Sequence, residues 1–354
     1  KLKKYKKINV IGGLTFNRFL VGRFLLSKNI KITSIKINKK YSFPKKTEQL
    51  NKILQLINII TYNLNLSKNF KKYLQDFILN YIKKEINKFE KNFPNLDNID
   101  ALITGSVANS YPRLFLFLAQ ENKITNFTLH HGAHYNLYDE EYQYFYEEII
   151  LENKIVYGNL KDNIFNYVKN INGKKIKYYS RIDNDILKII NSKYSYTNQQ
   201  NFNFFSSNKN LKITYFPVCF GKLNWGPYRQ ISTKNYFNWQ VKMLKWVSKN
   251  ISKNISVKHH PKRFYHNEFL DGFKNFENYS LDKILEQTDV FIVDYPTTSL
   301  AKLSVTNKKI IYFDLHLRNI FTDALEDIKN QFIYIPISDD KMIIDDDIFL
   351  KEIK

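Results

Sequence analysis

A chain of 354 residues with 44% hydrophobic content is long enough for two ordinary domains with sizeable cores. Its single cysteine, Cys219, excludes an intramolecular disulfide framework, fits a reducing compartment and leaves too few thiols for a cysteine-based zinc site. The net charge of +22 points to an anionic partner or to a lysine-rich compositional bias; lysines run along the whole chain with no zinc-finger, RRM or homeodomain signature, which speaks against sequence-specific nucleic-acid binding but not against an anionic membrane surface.

In chain order, KLKKYKK followed by INVIGGL has the charge order of a secretory leader. Its apolar part is short and interrupted by Asn9, so it reads as a basic lead-in to a buried strand over 6–14. Phe16, Phe19, Leu20 and Phe24 have helical spacing, and IKITSIKIN (30–38) reads as a second strand. Residues 47–92 read as two helices broken near 65–67. Strands follow at 101–106 and 124–130 with the helix YPRLFLFLAQEN between them. The acidic aromatic stretch 139–158 reads as a helix or lid followed by a short strand at KIVYG. Glu140, Glu141, Glu147 and Glu148 fit a solvated helix face there. The pattern weakens over 159–210, placing a domain boundary near 205–210, with one domain over 1–205 and a second over 206–354.

The second half restarts the alternation. LKITYFP (211–217) reads as a strand, 234–249 as a helix with Phe237, Val241 and Leu244 on one face, and ISVKHHP (255–261) as a strand that Pro261 ends. SLDKILEQT (280–288) is a helix with Ser280 at its N-cap, and DVFIVDY (289–295) is a strand. A helix opens at Pro296, and KKIIYFDL (308–315) is another strand. Strands alternating with helices predict an α/β fold of two Rossmann-like domains with mainly parallel sheets. No run of eighteen apolar residues occurs.

In such sheets ligands bind beyond the carboxyl ends of the strands. Three polar clusters fall there: His130-His131-Gly132, His259-His260-Pro261, and Asp294-Tyr295-Pro296-Thr297-Thr298-Ser299. The last offers hydroxyls at a helix start, either to an anion or simply as an N-cap. Lys258 and His260 can donate to a phosphate, or His260 can be an ordinary loop histidine. His131 can act as a general base, with Gly132 letting substrate approach the backbone, or it can hydrogen-bond within its own loop. His134 belongs to the site or is exposed. A metal site of His130, His131 and His134 is disfavoured, because adjacent histidines on an extended chain point apart. The acidic run DDDI (345–348) reads as a solvated turn.

The succession HHG, KHHP and DVFIVDYPTTSLAKL resembles the CDP-glycerol glycerophosphotransferases and related bacterial capsule transferases, including Kdo-transferase-like proteins. That resemblance implies a GT-B fold with two domains facing a central cleft. It implies a cytoplasmic, metal-independent transferase, peripheral at the inner membrane, that needs no cofactor beyond its CMP-, CDP- or UDP-linked donor. The acceptor would be a surface glycan or lipid-linked. The resemblance assigns His131 as catalytic base. It assigns Lys258, His260, Pro261, Asp294, Thr297, Thr298 and Ser299 to the donor phosphate or nucleotide, with His130, Gly132, His134 and His259 near the acceptor or behind the site. Histidine stands before His131 where the teichoic-acid enzymes usually carry tryptophan, and Pro296 replaces their first serine. Both departures lean toward a sugar donor. Two other readings remain: a sugar-nucleotide epimerase of the same fold, and a non-catalytic module that binds anionic polymer.

Overall fold

The structure is a computed structural model and describes residues 7–11, 31–33, 36–37, 46–63, 66–91, 94–95, 99–105, 110–129, 152–157, 176–181, 184–196, 210–218, 231–259 and 268–337. Two compact units divide the chain, one containing the first six strands and the other the last six.

The first unit is built on a sheet whose centre is β1 (Lys7–Ile11), β5 (Ala101–Thr104) and β6 (Thr125–Leu129). β2 (Lys31–Thr33) pairs parallel with β1, β1 with β5, and β5 with β6. β7 (Asn153–Tyr157) and β8 (Lys177–Arg181), each divided between the two units, follow β6 in the order β2-β1-β5-β6-β7-β8. The expected strand over 30–38 is divided: β3 (Lys36–Ile37) leaves the sheet and pairs antiparallel with β4 (Pro94–Asn95). β5 is ALIT with every side chain buried, the unbroken apolar run that a strand covered on both faces requires. The helical pattern over 47–92 resolves into α1 (Lys46–Tyr62) and α2 (Lys68–Lys91), broken where expected. They are tied by Gln75 Nε2 donating to Thr61 Oγ1 at 2.7 Å and Lys71 Nζ donating to the Tyr62 carbonyl at 3.0 Å. α3 (Ser110–Glu121) packs on β5 and β6 with Phe115, Leu116 and Ala119 buried. The expected helix near 16–24 and the stretch 139–151 lie outside the described residues.

The second unit has a six-stranded sheet in which every pairing is parallel. Its strands are β9 (Ile213–Phe216), β10 (Ile255–Val257), β11 (Lys274–Asn275), β12 (Val290–Val293), β13 (Lys309–Asp314) and β14 (Ile333–Pro336). The order is β11-β10-β9-β12-β13-β14. Counted within this sheet the order is 3-2-1-4-5-6, the doubly wound arrangement of dinucleotide-binding folds. The chain runs outward from β9 to β11, then returns to the other side of β9 at β12. The switch point is therefore the gap between the carboxyl ends of β9 and β12.

Strand periodicity divides the core in two. Val290, Ile292, Ile311 and Phe313 face one layer with Trp239, Met243 and Leu244 of α5 (Thr233–Asn250). Phe291, Val293, Ile310 and Tyr312 face the other, with α4 (Asn184–Ile190), α7 (Leu281–Glu286), α8 (Thr298–Leu303) and α9 (Thr322–Gln331) supplying Ile189, Ile284, Leu300 and Ile328. Each large apolar side chain so buried contributes roughly 1.5–3 kcal/mol. α5 opens with Ser232, whose hydroxyl accepts from the Asn235 amide at 3.1 Å. Ser280 takes the expected cap position of α7 but makes no side-chain cap bond. Short α6 (Glu268–Asp271) places Leu270 in the core. Residues 184–196, ahead of the expected boundary, already pack with this sheet: Ser195 bridges Thr306, and the Tyr196 amide donates to the Val305 carbonyl at 2.9 Å. Residues 201–209, where that boundary was expected, lie outside the described residues. No helix among the described residues is long and apolar enough to cross a membrane.

Candidate active site at the switch point

Parallel strands that carry apolar residues to their last position release polar residues together at one edge. At the edge of the second sheet β9 is followed by Pro217 and Val218, β10 by Lys258 and His259, β12 by Asp294 and Tyr295, and β13 by Leu315, His316 and Arg318.

Asp294 sits under this edge. It is 1% exposed, and its carboxylate accepts three hydrogen bonds. Tyr215 of β9 donates at 2.5 Å and Tyr236 of α5 at 2.6 Å, both to Oδ2, while the Val218 amide donates to Oδ1 at 2.9 Å. Gln240 in turn donates to the Tyr215 hydroxyl at 2.9 Å. The group therefore bolts the ends of β9 and β12 together across the switch point. Burial pushes the Asp294 carboxyl up from 3.8 to about 6, against the lowering effect of its donors. Burial, followed by the nearby Asp294 charge, pushes both tyrosine hydroxyls well above their ordinary value. The sequence placed Asp294 among the donor-phosphate ligands. The structure turns its carboxylate away from solvent and fills both oxygens with protein donors.

Thr297 is the N-cap of α8, its hydroxyl accepting from the Ser299 amide at 3.1 Å. The helix starts at Thr298, so Pro296 precedes the cap instead of opening the first turn. Thr297, Thr298 and Ser299 are each partly exposed. Capping uses one oxygen lone pair of Thr297; a hydroxyl also carries a proton it can donate to an anion.

Lys258 follows β10, its amide bonded to the Tyr215 carbonyl at 2.8 Å and its ammonium donating to the Glu277 carbonyl. Partial burial lowers its pKa. His259 is buried, with Nε2 3.6 Å from the Asp271 carboxylate, a position behind the edge. His260, Pro261, His130, His131, Gly132 and His134 lie outside the described residues. β6 ends at Leu129, so the HHG run follows its carboxyl end in the chain.

The sequence reading missed two residues at this edge. Arg318 Nε donates to the Tyr295 hydroxyl at 2.6 Å, which joins the loop after β13 to the one after β12. His316 is exposed, in the left-handed region at φ 51°, with Nδ1 3.3 Å from Asp314 and its amide bonded to the same carboxylate at 2.8 Å. Burial would raise the Asp314 pKa, but His316 and the Tyr334 hydroxyl more than offset it and hold the pKa below the ordinary value. The available signal was DLHLR directly after a buried strand. A cavity of about 200 Å³ lined by Tyr196, Thr306, Lys308 and Gln331 reaches Lys309 at the amino end of β13, the opposite edge from this chemistry.

The chain is thus an α/β protein with parallel sheets in both units and a dinucleotide-type switch point in the second. Several solved structures are similar to it in fold. One is the wall teichoic acid polymerase TagF, at 12% identity over 98% of this chain and 82% of that one, with a TM-score of 0.44. Another is a glycosyltransferase from Rickettsia africae, at 13% identity over 96% and 85%, TM-score 0.41. A third is LpCGTa in complex with UDP, at 8% identity over 99% and 90%, TM-score 0.46. Neither a family model nor a curated protein matches the chain.

Proposed function

We propose that the chain is a GT-B-type transferase that takes a group from a nucleotide-activated donor, with the donor held at the carboxyl edge of the second sheet. The observation that carries this reading is the 3-2-1-4-5-6 strand order, whose carboxyl edge carries Lys258 after β10, Thr297, Thr298 and Ser299 after β12, and Arg318 after β13. The three hydroxyl residues, Lys258 and Arg318 would compensate the charge of a departing nucleotide phosphate, and His260 and Pro261 would serve the same phosphate or nucleotide. Asp294 acts by holding the strand ends in place rather than by touching phosphate. His131, which follows β6 in the chain, would take the proton of the acceptor hydroxyl, with His130, Gly132 and His134 serving the acceptor. His259 stays behind the site. The acceptor is a surface glycan or a lipid-linked intermediate.

Titration with CMP, CDP and UDP tests the reading, followed by nucleotide release from a matched sugar donor with and without acceptor glycan. Saturable binding of one nucleotide and acceptor-dependent release are expected. Conversion of the donor sugar without acceptor would make the chain an epimerase. Failure of all three nucleotides to bind would refute the donor site.

A further inference from the structure

We propose that the α1–α2 hairpin docks the protein on an anionic membrane surface through its outward aromatic face. α2 carries apolar residues on two sides. Leu74, Ile78, Ile82 and Ile86, spaced four apart, make the inner, half-buried side. Phe70, Tyr73, Phe77 and Tyr81, spaced three, four and four, make a second stripe that is left to solvent. Tyr73 is 63% exposed and Phe77 59%. The stripe is continuous: ring centroids lie 6.2 Å apart from Phe70 to Tyr73 and 6.4 Å from Tyr73 to Phe77. α1 adds Leu56, Ile59 and Tyr62, again one face at spacing three, with Tyr62 80% exposed.

Single exposed apolar side chains need no explanation, but a stripe of four along one helix, with three more on the other helix of the same hairpin, does. The charge around them selects the partner. Residues 46–91 hold nine lysines and four acidic residues. Lys84 and Lys88 continue the aromatic stripe at its next turns, and both are exposed. Aromatic rings followed by lysines along one face suit the boundary between acyl chains and anionic headgroups, where rings bury and long lysine stems reach to phosphate. A second copy would bring two net-positive hairpins face to face, which costs rather than gains electrostatic energy. The inference stands apart from the transferase reading, because binding to lipid can be measured without turnover.

The test is co-sedimentation of the full chain with vesicles of phosphatidylcholine alone and of phosphatidylcholine mixed with phosphatidylglycerol, at low and high salt. Binding to the mixed vesicles should exceed binding to the neutral ones and fall with salt. The variant Phe70→Ser/Tyr73→Ser/Phe77→Ser should lose at least about tenfold in partitioning. Lys84→Glu/Lys88→Glu should lose roughly fivefold or more per charge on mixed vesicles only. Tyr279→Ser, which removes an exposed ring from the second unit, should bind like the parent. Thermal melts by circular dichroism confirm that each variant is folded, and these positions face solvent. Unchanged binding by the aromatic variant overturns the proposal, as does equal binding to neutral and mixed vesicles. A parent that fails to bind lipid but elutes as a dimer, with the aromatic variant monomeric, assigns the face to a second copy instead.

Discussion

Replacing Asp294 tests whether the switch point is held by one buried carboxylate. Asp294→Ala strands three donors, the hydroxyls of Tyr215 and Tyr236 and the Val218 amide, in a region where both tyrosines are at most 1% exposed. A buried donor left without a partner costs about 1–3 kcal/mol. The two hydroxyls, 3.4 Å apart, can partly satisfy one another, so the expected loss is about 3–5 kcal/mol. Asp294→Asn keeps the volume and one acceptor, and its loss should be nearer 1–2 kcal/mol. Acid titration separates a structural carboxylate from a bystander. The folded pKa, about 6, lies above the ordinary 3.8, so between those values the folded state binds more protons than the unfolded state. Stability therefore falls as pH rises through that window, by about 3 kcal/mol for two units, and this contribution is fully present only below it. Urea unfolding monitored by tryptophan fluorescence at several pH values from 4 to 7.5 measures this directly. The parent should gain a contribution of this sign on acidification that Asp294→Asn lacks. Parallel profiles for parent and Asn variant, or a loss under about 1 kcal/mol in the Ala variant, would refute the reasoning.

His131→Ala should abolish transfer while nucleotide affinity, read by calorimetry, stays near the parent's, because a base acts on the acceptor; turnover within a few-fold of the parent would make HHG structural. Lys258→Ala and Arg318→Ala should each weaken nucleotide binding by roughly 1–3 kcal/mol, the worth of a charge-assisted hydrogen bond. Unaltered affinity in both would move the phosphate site elsewhere.

Much of the second unit was legible because buried parallel strands write themselves as apolar runs. ITYF, VFIV and KIIYFD all emerge where the alternation put them, and the long helix over 233–250 follows from its apolar spacing. Short or edge elements were not legible. β8 is KYYSR, β11 is two exposed residues, and α9 with β14 follows a strand after which no pattern was read. Their residues mix polar and apolar character, since an edge strand need not be covered on both sides. The ends of β10 and β12 lie where that reading put them, but the bonding partners of Asp294 were not legible. Asp294 takes its bonds from residues 79 and 58 positions earlier, and no local pattern links VDYPTT to Tyr215 and Tyr236. Thr297 caps its helix, and the phosphate reading rests on the hydroxyl proton that capping does not use.

The position of Asp294 raises a question that the donor-site proposal must answer: why a carboxylate should stand beneath a place meant for phosphate. Its three donors make the charge tolerable, and its pKa of about 6 makes it easy to neutralise. An anion arriving beside Thr297, three residues along the chain, disfavours the ionised form and raises that pKa further. Nucleotide binding near neutral pH should then take up a fraction of a proton at Asp294, and by linkage affinity should improve as pH falls toward 6. The phosphate titrates in the same region, so the parent alone cannot assign the proton. Asp294→Asn retains the phosphate's own contribution and removes the carboxyl's. Calorimetric binding in buffers of different ionisation enthalpy should therefore show greater proton uptake in the parent than in the Asn variant. Equal uptake in the two, with binding intact, would mean that the phosphate does not lie over the switch point, and the donor would have to be sought along another part of the strand edge.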